Sequence, residues 1–180
     1  MARSKPMTDI YPAGPNQGRV AIAVAVASIL VLAIAWGFEL IGGFVPCKLC
    51  LMQREGYYAA VPLLLLSALG ARFGWPACAT RGFLLLAGLM LATSLTTAVY
   101  QAGAEWRWWL GPNDCGTSGL PSVSAGSLLD EISETTIIFC DEAAGRFLGL
   151  SFAGWNVPAA GSLALACLIG SAWASGRKKA

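Results

Sequence analysis

An all-α membrane protein, a bundle of four transmembrane helices with one long outer loop that carries a short interfacial helix, is the fold this sequence predicts. Three observations lead there. Hydrophobic residues make up 56% of the 180 and charged residues only 12%, with a mean hydropathy of +0.62, which does not suit a soluble domain. The apolar residues gather in four runs, 20–38, 51–69, 82–100 and 157–173. As a helix the first run would extend about 28 Å, close to the thickness of the bilayer hydrocarbon. The basic residues, finally, fall on alternate sides of those runs.

Residues 1–18 carry Pro6, Pro12, Gly14 and Pro15 and predict a short disordered tail ahead of a membrane domain, 19–175. Val20–Phe38 is an unbroken apolar run. Ala33-Ile34-Ala35 has the form of a signal cleavage site, but the run is long for a signal core and lies well inside the chain, so an uncleaved span is expected. Residues 39–50 form the first outer loop: Glu39–Val45 is a short Gly-containing connector, then comes Pro46-Cys47-Lys48-Leu49-Cys50. Leu51–Leu69 is the second span, with Gln53, Arg54 and Glu55 in its first turns and Pro62 as a tolerated kink. Gly70–Arg81 reads as a tight turn holding Arg72, Gly74, Pro76 and Arg81, and Gly82–Tyr100 is the third span.

Residues 101–156 are the one long connection. Glu105-Trp106-Arg107-Trp108-Trp109 is an aromatic cluster of the kind that anchors at headgroup level. Ser127 followed by Asp130 and Glu131 resembles a helix start, and Leu128, Leu129 and Ile132 give that helix one apolar stripe. Phe147, Leu148, Leu150, Phe152 and Trp155 predict a segment lying in the interface that holds Cys140 near the membrane. Val157–Trp173 is the fourth span, and 176–180 is a basic tail.

Arg3, Lys5, Arg19, Arg72, Arg81, Arg177, Lys178 and Lys179 share one side; Lys48, Arg54, Arg107 and Arg146 share the other. The positive-inside bias therefore places both termini in the cytoplasm and both cysteine-bearing loops outside. Neither a phosphate-binding glycine motif nor a basic stripe for nucleic acid is present. Histidine is absent, which excludes His-ligated metal and His-based acid/base or triad catalysis and leaves cysteine as the nucleophile.

Cys47, Cys50, Cys115 and Cys140 face outward, where an oxidising medium favours disulfides. A static staple would brace the long loop by roughly 3–4 kcal/mol and suits Cys115 and Cys140. It suits Cys47 and Cys50 poorly, because so small a loop constrains the unfolded chain little. Zinc bound by all four thiols is disfavoured, since the second pair lacks the short spacing of such sites. With a helix starting near Pro46, Cys47, Cys50 and Arg54 fall on one face, and the guanidinium and the positive helix end could both stabilise a thiolate at Cys50. Arginine at a helix end commonly snorkels, but this is the side where the charge bias predicts few. Arg54 is thus expected to stabilise negative charge on Cys50 or on a reduced electron acceptor, and Gln53 to add a hydrogen bond. Cys78 and Cys167 read as ordinary small side chains, Tyr57 and Tyr58 as interfacial anchors, and Glu39 and Glu55 as carboxylates that meet water.

Four spans, P-C-x-L-C-x-x-Q-R at Pro46–Arg54, two cysteines in the long loop, and Cys140-Asp141 ahead of Phe147-Leu148-Gly149-Leu150 together resemble the disulfide bond formation protein B (DsbB) family. The resemblance covers the chain beyond its N-terminal tail. It implies a bacterial inner-membrane thiol:quinone oxidoreductase that reoxidises the periplasmic thiol oxidase DsbA. It further implies that Cys115 is the sulfur attacked by the reduced partner, that Cys140 is its mate and can pair transiently with Cys47, and that Cys50 delivers electrons to ubiquinone or menaquinone with Arg54 near the ring oxygens. Each exchange step is thiolate attack on a disulfide sulfur, which fits a chain without histidine. Two alternatives differ in cysteine placement. A vitamin K epoxide reductase-like oxidoreductase carries its C-x-x-C late in the chain, and a disulfide-braced four-span structural protein would keep its cysteines in one loop.

Overall fold

The computed structural model of the chain describes residues 15–111, 143 and 145–172. Its helices are α1 (Pro15–Leu40), α2 (Lys48–Phe73), α3 (Ala77–Glu105) and α4 (Phe152–Ala172), with a two-stranded hairpin, β1 (Arg146–Phe147) and β2 (Leu150–Ser151), ahead of α4. All four helices are long and apolar enough to cross a bilayer. Each packs mainly on two neighbours, so the order around the bundle is α1, α2, α3, α4 and back to α1. Cys115, Cys140 and the interfacial helix expected after Ser127 lie outside the described residues.

The helices contain the expected runs but overshoot them, because hydrogen bonding continues where hydropathy stops. α1 takes in Glu39 and Leu40, and α3 continues through Gln101 to Glu105. The turn expected over Gly70–Arg81 shrinks to Gly74, Trp75 and Pro76. Gly74 supplies the left-handed cap of α2 (φ 72°), its N–H bonded to the Gly70 carbonyl, and Pro76 leads into α3. Cys78 and Arg81 therefore belong to α3. Pro62 is accommodated inside α2.

The apolar segment after residue 145 forms a hairpin that leads directly into α4. Leu148 (φ 51°) and Gly149 (φ 85°) make a two-residue turn that pairs Arg146 with Ser151 and Phe147 with Leu150. The Ser151 hydroxyl then accepts the Gly154 N–H at 3.0 Å, so α4 starts at Phe152 and Asn156 lies in its first turns.

Unlike that of a soluble bundle, the perimeter is as apolar as the interior, where Leu64, Leu84 and Leu91 are fully buried. Ile22, Leu30, Leu65, Leu89 and Leu165 are exposed on the perimeter, as lipid contact requires. The interior holds Ala21, Ala60, Ala87, Ala160 and Ala164 beside Ser28, Ser67, Thr80 and Ser94. Small residues let the helices approach closely. At Gly56 the approach is so close that a Cβ would collide with the Met90 carbonyl and the Ser94 hydroxyl of α3. That hydroxyl donates to the Gln53 carbonyl at 2.6 Å, tying α2 to α3 one turn away. Gly56→Val is expected to destabilise the bundle by about 1–3 kcal/mol through overpacking, read as a lower melting temperature in detergent; an unchanged melting temperature would contradict this close approach.

Candidate functional site

The site is built at the first turn of α2. The helix begins at Lys48, one residue later than Cys47 and two later than Pro46, and Cys47 is its N-cap (φ −75°, ψ 169°). The Cys47 sulfur accepts the Cys50 N–H at 3.3 Å, so a sulfur fills the capping position usually held by an oxygen. The two sulfurs lie 2.9 Å apart, with the Cys47 thiol donating to Cys50 Sγ. Cys47 is buried and Cys50 partly so. The Cys47 thiol is held well above the usual cysteine range, first because its proton is donated to Cys50 and then because it is buried.

Because Cys47 caps the helix instead of starting it, only Cys50 and Arg54 keep the expected helical spacing. Arg54 does not turn to the sulfur. Its guanidinium pairs with Glu39, reaches the Ala35 carbonyl at 3.5 Å and lies 5.7 Å from the Trp36 ring centroid, all on α1. Glu39, expected to meet water, is thus an ion-pair partner.

Cys50 and Arg54 do share one cavity of about 470 Å³, enclosed by α1, α2, α4 and the hairpin. Its walls are mostly apolar. Phe38, Phe44 and Phe152 pack together in it with ring centroids 4.6–6.2 Å apart, while Glu39, Gln53, Arg54, Tyr57 and Asn156 bring polar groups to the same space. A largely apolar pocket with a few convergent polar groups is the form small-molecule sites take.

Behind the sulfurs runs a buried chain of amides. The Tyr57 hydroxyl donates to Asn156 Oδ1 at 2.6 Å, Asn156 Nδ2 to Gln53 Oε1 at 2.8 Å, and Gln53 Nε2 to Gln101 Oε1 at 2.7 Å. Gln101 Nε2 lies 3.5 Å from Cys47 Sγ and 3.4 Å from Cys50 Sγ, and 3.2 Å from Glu105 Oε1. Tyr57, expected as an interfacial anchor, is only 1% exposed, whereas Tyr58 is exposed and accepts the Trp36 indole N–H at 2.7 Å.

Of the six residues singled out from the sequence, the described structure brings together Cys47, Cys50, Gln53 and Arg54; Cys115 and Cys140 lie beyond it. Sequence reasoning missed Gln101, Glu105, Asn156 and the roles of Glu39 and Tyr57. One signal was available: Gln101 and Glu105 are four apart, one helical turn, directly after an apolar run, and polar groups at a span's end that share a face warrant attention.

The family model described as disulfide bond formation protein DsbB matches residues 17–170, the whole bundle with its loops. No curated protein and no solved structure matches the chain significantly.

The raised Cys47 thiol has a measurable sign. A thiol above its ordinary range stays protonated, hence unreactive, at neutral pH. In the reduced chain, alkylation of Cys47 by iodoacetamide at pH 7 should run at least about tenfold slower than that of an unperturbed cysteine of pKa about 8.5. The rate should still be climbing at pH 10, where an unperturbed cysteine has levelled off. Peptide mass spectrometry of timed quenches measures both, and a plateau below pH 10 would count against the hydrogen-bonded assignment.

Proposed function

The chain belongs to the DsbB family of disulfide-forming membrane oxidoreductases, and from that premise we propose that it reoxidises a DsbA-like periplasmic thiol oxidase and passes the electrons to a membrane quinone. The observation that carries this reading is that Cys50 and Arg54 line the same apolar cavity within a lipid-embedded bundle.

The donor set suits a quinone head group. The cavity has aromatic and aliphatic walls for a flat ring, the Arg54 guanidinium and the Gln53 amide on α2, and the Asn156 amide on α4 as donors to ring oxygens. Ubiquinone or menaquinone bound there would supply a two-electron, two-proton acceptor. Arg54 is positioned by Glu39 to favour negative charge at a ring oxygen, and Gln53 to hold the ring near Cys50.

At the far end of the path, a thiolate of the reduced partner attacks Cys115 of a Cys115–Cys140 disulfide. A mixed disulfide forms and Cys140 leaves as a thiolate; the partner's second thiolate then releases the oxidised partner. The Cys140 thiolate in turn attacks Cys47, the Cys47–Cys50 bond breaks, and the electron pair stays on Cys50. Cys115 closing on Cys140 restores the loop disulfide and leaves Cys47 and Cys50 reduced beside the cavity. In this reading residues 19–175 form the membrane domain of an inner-membrane protein, 1–18 and 176–180 are cytoplasmic tails, and both cysteine loops face the periplasm, as the Lys and Arg distribution favours.

Purified protein given reduced DsbA-like oxidase and a soluble quinone analogue should bleach the quinone absorbance. Cys50→Ser should reduce turnover by at least about a hundredfold, within the range covalent steps contribute, and wild-type turnover in that variant would overturn the reading. Arg54→Met should raise the KM for the quinone analogue about tenfold, the size of one charge-assisted hydrogen bond. A partner whose second active-site cysteine is replaced by alanine should accumulate the mixed disulfide with Cys115 of the wild-type chain, visible on a non-reducing gel, because Cys140 still leaves as a thiolate but nothing then releases the partner.

A further inference from the structure

We propose that Gln101 is a catalytic residue of the dithiol: its side-chain N–H group is the donor that takes up negative charge on sulfur as the Cys47–Cys50 bond opens and closes. The proposal rests on the redox reading of that pair and adds a residue to it.

Gln101 is 3% exposed and its Nε2 is almost equidistant from the two sulfurs, 3.5 Å from Cys47 Sγ and 3.4 Å from Cys50 Sγ. An amide could present either its oxygen or its nitrogen to them, and the nitrogen and oxygen are told apart only by their surroundings. Here Glu105 decides and the Gln53 contact is consistent with it; Cys50 Sγ is also nearer Nε2, at 3.4 Å, than Oε1, at 3.7 Å. Gln53 Oε1 accepts from Asn156 Nδ2, so Gln53 has its N–H group left for Gln101 and fixes Oε1 of Gln101 on that side. Glu105, as a carboxylate, can only accept, and takes an N–H of Gln101 at 3.2 Å. A reversed Gln101 would set oxygen against the Glu105 carboxylate and NH2 against the NH2 of Gln53, two like contacts in a buried place.

The chemistry requires a donor at that point. When an incoming thiolate bonds to Cys47 Sγ, the Cys47–Cys50 bond breaks and the electron pair remains on Cys50 Sγ as a thiolate. In the reverse sense the pair returns to the bond and the incoming thiolate leaves. An N–H donor stabilises a sulfur anion more than a neutral disulfide sulfur, and one within reach of both sulfurs serves either direction without moving. Among the described residues the alternatives are few: the Arg54 contacts lie on α1, and the chain has no histidine. The negative charge of Glu105 opposes a nearby thiolate, so its contribution runs through the amide it orients. Among the described residues Glu105 Oε2 has no hydrogen-bond partner.

The test uses the full-length chain in detergent, freed of quinone, with Cys115→Ser and Cys140→Ser so that only the Cys47–Cys50 pair cycles. The pair is equilibrated in dithiothreitol redox buffers and its oxidation state read by alkylation and mass spectrometry. Gln101→Met keeps the length of the side chain and removes the donor; Gln101→Leu does the same with another shape, should the first not fold. Either should move the equilibrium about tenfold toward the disulfide, about 30 mV for a two-electron couple, and lower the thiolate absorbance of the reduced chain. An equilibrium within twofold of the parent in a folded variant overturns the role of Gln101 while leaving the dithiol reading intact. A parent pair that does not cycle at all overturns both.

Discussion

The structure depends on one constraint: in a bundle surrounded by lipid, a polar group turned inward is costly unless it finds a partner inside. An amide buried without a hydrogen bond costs several kcal/mol, and no water enters the hydrocarbon to relieve it. Gln53 of α2, Gln101 of α3 and Asn156 of α4 meet this demand with one another, at 2.7 and 2.8 Å. The chain they form fixes how three helices meet beside the cysteines. Small residues set the separation that makes it possible. Gly56 brings α2 against α3 one turn from Gln53, and the Ser94 hydroxyl closes the gap by binding the Gln53 carbonyl. Packing and chemistry are thus decided at the same helix crossing.

That constraint also explains what the sequence allowed one to see. Four apolar runs, the Cys47–Cys50 spacing and Arg54 at an unexpected membrane face are local signals, and each was legible residue by residue. Helix ends were less so, because a hydropathy window stops at the last apolar residue while the backbone continues until something caps it. The Ser151 hydroxyl starts α4 five residues ahead of the apolar run, which moves Asn156 from loop to helix. The third span likewise continues past Tyr100, turning Gln101 and Glu105 from loop residues into interior ones. The pairing of Glu39 with Arg54 was out of reach for another reason. It joins residues fifteen apart on two helices, and no periodicity within either one encodes it.

The Glu39–Arg54 pair bears on how the cavity can bind an oxygen. A partly buried guanidinium without a counter-charge is costly, and a carboxylate held too tightly would leave it nothing to offer. Arg54 carries five N–H groups in a planar fork; the contacts to Glu39 and the Ala35 carbonyl use a minority of them. The carboxylate therefore fixes the plane and place of the cation and leaves donors for a ligand. The Trp36 ring, 5.7 Å from the guanidinium carbon, adds a second apolar restraint on the same group. Rotation of Arg54 toward Cys50 would forfeit all three contacts.

A histidine-free chain thus meets the requirements of thiol–disulfide exchange in a different currency from acid/base catalysis. Exchange depends on a stabilised leaving thiolate more than on a base. Here a sulfur sits at the helix N-cap, where it receives a backbone N–H, and an amide locked by a carboxylate and by a second amide faces both sulfurs. None of these donors has to give up a proton, so a charge shift on sulfur can be met at once by groups already in position. The proton of the Cys47 thiol is engaged with Cys50, which holds the reduced pair together as a unit instead of exposing two independent nucleophiles. A dithiol arranged in this way is suited to giving and taking electrons as pairs, through the making and breaking of one S–S bond.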